Sequence, residues 1–239
     1  MKNKGLWVFL IMGALLVFTL PGYATSFTYN LDFEYSGGAE PVGPSPWLTA
    51  TFDDEDTPGS VQLTMDAAGL TRSTDSTEFI TKWLFNVNAQ SLAPGFDIPE
   101  QTLLDALEFN LLSGPPPSAL NLTANSSDLN PAVGFDIEFS FPTSNGTQDR
   151  FEAGETVIFE FFSDLLPITA NTFLALNSSG KGPLFETVAH VQGIVSSAGD
   201  SGKIAPGSGP NPVPEPTTML LVGIGLIGLI GSGCKRFKA

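Results

Sequence analysis

From residue 27 onward, apolar and polar side chains alternate with a period of two rather than 3.6. Phe27, Tyr29, Leu31, Phe33 and Tyr35 are interleaved with Thr28, Asn30, Asp32 and Glu34. Successive side chains of a strand point to opposite faces, so such alternation describes half-buried β-structure. Val61, Leu63 and Met65 repeat the pattern, as do Phe79, Thr81, Trp83, Phe85 and Val87. The clearest case is Val133, Phe135, Ile137, Phe139 and Phe141, set between Gly134, Asp136, Glu138 and Ser140. Val157, Phe159 and Phe161 follow, and further strands are expected over 47–52, 107–112, 172–176 and 185–194. Turn residues separate them: Ser36-Gly37-Gly38, Thr57-Pro58-Gly59, Ala93-Pro94-Gly95, Ser144-Asn145-Gly146 and Ser178-Ser179-Gly180. A short helix is expected near 99–106. Many short strands with Gly, Pro and Asn turns predict an all-β fold, an antiparallel β-sandwich of jelly-roll type with about nine strands.

Both ends of the chain break this pattern. Lys2 and Lys4 precede an uncharged apolar stretch at 5–20, which runs into Pro21, Gly22, Tyr23 and Ala24. A positive start, an apolar run and a small-residue exit make a secretory signal peptide over 1–24, cleaved after Ala24. The alternating region then forms one exported domain over 25–195. Residues 196–212 are rich in Gly, Ser and Pro and read as an extended linker. Over 213–239 come Val213-Pro214-Glu215-Pro216, an apolar segment and a basic tail with Lys235, Arg236 and Lys238. The apolar segment predicts a transmembrane helix at about 217–234. Its basic flank stays cytoplasmic, which places the domain on the outer side.

The succession of a VPEP box, a short glycine-rich apolar helix and a terminal basic cluster resembles the PEP-CTERM sorting signal of Gram-negative bacteria. The resemblance implies that Pro214, Glu215 and Pro216 are recognised by an exosortase, an integral-membrane enzyme acting at the outer face of the inner membrane. Lys235, Arg236 and Lys238 would hold the precursor in place. Stretches of the middle region, among them TATFDD at 49–54, VQLTMDAAGL, EFITKWLFN, GFDIEFSFP and AHVQGI, are similar to exported PEP-CTERM proteins of unassigned function. The family supplies no catalytic residues for that region. It implies a cell-surface or exopolysaccharide-matrix destination.

Charge sharpens this division. The formal net charge is −15. Half of the ten basic residues sit at the two termini, so 25–205 carries five bases against 24 acids, a balance of −19. Phosphate recognition needs clustered Lys and Arg, so nucleic acid is excluded as a partner of a basic face. One Cys and one His leave a zinc site short of ligands and rule out an internal disulfide. Sixteen Phe within the middle region supply an ample core.

Candidate chemistry is sparse. Gly223, Gly225 and Gly228 satisfy G-x-G-x-x-G, yet no strand precedes them, so they read as helix-packing positions rather than a nucleotide loop. Cys234 stands where a lipid thioester could attach but reads as an unmodified thiol. His190 has no G-x-S-x-G serine to serve and reads as a structural histidine, capping or bridging in a sheet. Four Asn-x-Ser/Thr sequons, at Asn121, Asn125, Asn145 and Asn177, read as products of a polar surface. Asp53, Asp54, Glu55 and Asp56 form the densest acidic run and are the candidate calcium ligands, although their spacing departs from the EF-hand pattern. The leading expectation is a non-enzymatic exported protein without a cofactor. A calcium-assisted carbohydrate-binding module is the alternative, and a carboxylate-based hydrolase is a third.

Overall fold

The computed structural model describes residues 25–54, 59–73, 77–91, 98–144, 150–177, 182–196, 199–209 and 211–212. Twelve strands run through them in the order β1 (Ser26–Glu34), β2 (Leu48–Asp53), β3 (Ser60–Asp66), β4 (Phe79–Phe85), β5 (Glu108–Ser113), β6 (Ala119–Leu129), β7 (Ala132–Ser140), β8 (Phe151–Glu152), β9 (Thr156–Phe162), β10 (Thr187–Ser196), β11 (Gly199–Pro206) and β12 (Asn211–Pro212). One short helix, α1 (Glu100–Asp105), falls where expected and buries Leu103 and Leu104. Its Gln101 and Glu100 side chains accept from Ala124 N and Asn125 Nδ2 of β6, at 3.0 Å each.

The all-antiparallel architecture agrees with the period-two pattern. The expected division into two jelly-roll sheets does not describe the hydrogen bonding. The strands form one sheet in the order β5-β9-β3-β2-β1-β11-β10-β4-β7-β6, with β12 added to β1 and β8 to β4. This sheet curls so that its two halves face each other. Phe139 on β7 and Phe159 on β9 lie seven strands apart along the sheet, yet their ring centroids are 4.8 Å apart. Phe52 on β2 meets Phe85 on β4 edge-on at 5.4 Å and stacks on Phe173 at 4.7 Å. Curling arises from strand twist, and it seals a core that a flat sheet would leave open on both faces. Each Phe buried there contributes about 1.5–3 kcal/mol of apolar transfer.

A smaller cluster lies on the outer face. Leu84, Val188 and Ala205 point away from their core-facing neighbours and are covered by Leu129, Ala132 and Phe135, with Tyr35 and Phe185 alongside. Asn177 pins the covering segment: its Nδ2 donates to Val133 O at 2.7 Å, and its Oδ1 accepts from Phe185 N at 2.7 Å.

Three segments depart from expectation. The alternation at 172–176 is not a strand. A 3-10 turn at Ala170–Phe173 inserts Phe173 into the core, and Thr169 and Thr172 cap it reciprocally. Residues 119–129, to which no strand was assigned above, form β6, an edge strand whose outer positions are solvated. Most consequential, the expected linker at 196–212 is largely sheet. β11 lies between β1 and β10 near the middle of the sheet, with Gly202, Ile204 and Ala205 buried.

Candidate functional site at the sorting junction

The most informative site is where the domain meets the segment expected to carry the sorting signal. β11 and β12 pair in succession with the same side of β1. Leu31 faces Pro206, Phe33 faces Ala205, and Glu34 faces Ile204; nearer the start of β1, Thr28 faces Asn211 and Phe27 faces Pro212. On the other side of β1, Ser26 faces Asp53 at the end of β2. The chain therefore enters the domain at Thr25 and leaves it at Pro212 on neighbouring strands of one pole. Adjacent strands lie about 4.7–4.9 Å apart, which brings the two ends side by side.

Side chains fasten this arrangement. Asp54 accepts from Thr25 N with one carboxylate oxygen, and from Ala170 N at 2.8 Å with the other. It thereby ties the start of β1 to the end of β2 and to the 3-10 turn. Glu34 gathers the backbone amides of Ser36, Gly37, Gly38 and Lys203, at 3.0, 2.8, 3.1 and 3.1 Å. Burial pushes its carboxyl up, but hydrogen bonds from Ser36, Lys203 and Gly37 outweigh this and hold it below the usual range. Asp32 Oδ1 accepts from Gly207 N at 2.7 Å, fixing the chain just after β11. These acidic side chains act mainly as anchors for backbone N–H groups, Asp54 at the junction and Glu34 at the far end of β1.

Two buried carboxylates elsewhere are engaged in the same way. Buried Glu78 accepts from Val42 N at 2.8 Å and Thr71 N at 2.7 Å, beneath a small open cleft lined by Val42, Thr71, Ser73, Gly193 and Val195. Asp136 takes Val87 N at 3.0 Å and Asn125 N at 2.8 Å. Burial raises its carboxyl; those amides oppose the rise and the nearby Glu100 charge reinforces it. His190 lies on β10 between Lys203 of β11 and Lys82 of β4. A register shift beside it brings Thr81 Oγ1 within 2.7 Å of its Nδ1, the bridging role expected of it. Burial lowers its pKa, and the two lysine charges push it further the same way.

The acidic run proposed for calcium is divided. Asp53 pairs within the sheet, and Asp54 serves the two amides above; Glu55 and Asp56 lie outside the described residues. Among the described residues, no group of three or more His, Cys, Asp or Glu side chains is placed to hold a metal ion. Ala24, Pro214, Glu215, Pro216, Lys235, Arg236 and Lys238 also lie outside them, as does the expected span at about 217–234. Among the described residues, no helix is long and apolar enough to cross a membrane. Sequence reasoning missed the junction itself, namely β12 and the Asp32–Gly207 contact. The only signal available was the apolar pair Ile204-Ala205 inside an otherwise Gly- and Ser-rich stretch.

Residues 212–236 match the family model of the PEP-CTERM protein-sorting motif. The chain thus carries the address of an exported protein that is membrane-anchored as a precursor and processed by an exosortase. The match begins at Pro212, the last residue of β12, so motif and folded domain abut with no intervening linker. No curated protein and no solved structure matches the chain.

Proposed function

We propose that this is a non-enzymatic cell-surface or exopolysaccharide-matrix protein of a Gram-negative bacterium, released from its membrane anchor by the exosortase. The domain is the cargo, and the VPEP box and basic tail are its address. The observation that carries the non-enzymatic reading is how the carboxylates are used. Asp54, Glu34, Glu78 and Asp136 each hold two or more backbone amides, which suits a rigid scaffold better than proton transfer to a substrate. The acidic surface favours solubility after release.

Intact mass of the material shed from cells, combined with fractionation, tests both halves. The expected product begins at residue 25 and lacks 219–239. A shed form that retains 219–239 would end the processing claim. Polysaccharide turnover abolished by a single carboxylate substitution that leaves the fold intact would end the non-enzymatic one.

A further inference from the structure

The junction places a geometric demand on sorting. Val213 is the only residue between β12 and Pro214. An extended chain spans at most about 3.3–3.6 Å per residue, so Glu215 lies within about 11 Å of Pro212. While β12 stays paired to β1, the recognition box therefore cannot move far from the sheet. On the membrane side the slack is equally short, because the apolar segment begins near Thr217. A cleft that encloses an extended peptide holds it by main-chain hydrogen bonds over several residues on both sides of the recognised side chains. One residue of clearance leaves little room for the upstream part of such a cleft while Pro212 stays paired to Phe27 of β1.

We propose, resting on the exosortase reading above, that β12 is a strap whose release from β1 precedes recognition of the Pro214-Glu215-Pro216 box. The described structure provides what such a strap needs. Its ladder is only two residues long, and Pro212 has no N–H to contribute. Before it, Gly207–Gly209 pairs with no strand, and Asp32 Oδ1 fastens the near end by a single hydrogen bond to Gly207 N. Behind that point β11 is held on both sides, by β1 and β10, and does not open with the strap. Freeing residues 207–212 adds six residues, about 20 Å of extended chain, without disturbing the core. A two-residue ladder at the end of a domain opens locally long before the domain unfolds. The fold thus stays closed while the address is presented.

The test uses the full-length precursor in membranes that contain the exosortase, with Cys234→Ser as background and conversion followed by intact mass. Thr28→Cys with Asn211→Cys joins the facing residues of β1 and β12. Oxidised, this variant should convert at least about tenfold more slowly, because displacing a reacting group by an ångström already costs rates of that order or more. Reductant should restore the original rate in the same sample, which excludes misfolding. A six-residue Gly/Ser insertion between Pro212 and Val213 should restore conversion while the disulfide is intact. Unchanged conversion of the locked variant would overturn the strap, and so would failure of the insertion to rescue it. The sorting reading is checked separately by Pro214→Ala with Glu215→Ala and Pro216→Ala in the unlocked chain. Normal conversion there would overturn that reading, whatever the strap does.

Discussion

β11 and β5 exchange the places that their compositions suggest. β11 reads Gly-Asp-Ser-Gly-Lys-Ile-Ala-Pro, the composition of a tether, yet it is held on both sides by β1 and β10. β5 reads Glu-Phe-Asn-Leu-Leu-Ser, the composition of a core strand, yet it is an edge strand with all six residues exposed. Phe109, Leu111 and Leu112 retain 43%, 39% and 51% of their accessible surface. Burial follows position in the sheet, and position follows from which strands find each other. In β11 the backbone of Ala39 comes so close to Gly202 that only glycine fits there. At the rim the curled sheet runs out of partners, so apolar side chains there gain little.

The largest expected effect comes from filling the close approach in β11. A Cβ on Gly202 would stand 2.0 Å from Ala39 O, a backbone atom that cannot swing aside. Gly202→Ala should cost at least about 3 kcal/mol or prevent folding, because the sheet must open to admit it. Chemical denaturation against the parent measures this, and a variant within about 0.5 kcal/mol of it would break the comparison. Ile204→Ala comes next. Ile204 is fully buried in the main core, and its truncation should cost about 2–4 kcal/mol with little change in m-value.

Leu112→Ser on β5 should move stability by less than about 1 kcal/mol, since half of the side chain is already in water. A loss comparable to that of Ile204→Ala would mean that β5 is covered in solution.

The subtlest expectation is a slope. His190 packs beside β11 with its pKa lowered from 6.5, so the unfolded chain binds its proton more readily. Stability should therefore be highest above about pH 6.5 with respect to this group. It should fall as pH drops through 6.5 towards the lower folded value. The groups in contact are Thr81, Lys82 and Lys203; Glu138 offsets Lys82 across a 2.5 Å ion pair. Glu34 and Glu138, both held below 4.5, add a separate loss at lower pH, whereas Asp136, raised above 3.8, opposes it. His190→Gln should flatten the curve between about pH 5 and 7 while leaving the acid limb in place. An unaltered slope there would refute the assignment.

The strands with strict alternation were legible in the sequence, because alternate residues of a half-buried strand meet different solvents. Residues 133–141 are the plainest case, and β7, at 132–140, covers all of them but the last. β6 escaped because edge strands carry polar residues on more than one side. Residues 172–176 misled because Phe173 reaches the core from a 3-10 turn, where period carries no information. His190 was read correctly as a bridge, and the acidic run was read as one unit although its two described members have different duties.

By itself the sequence determined the sorting address and the β class. Each depends on local order: charge beside apolar length, prolines before an apolar run, alternation within one strand. Only the tertiary structure decided that one sheet curls on itself, that a Gly- and Ser-rich stretch is one of its central strands, and that the sorting motif begins at the last paired residue of the sheet. Those outcomes depend on pairing between segments as much as 185 residues apart, Phe27 with Pro212, and no local pattern encodes which strand a given strand will meet.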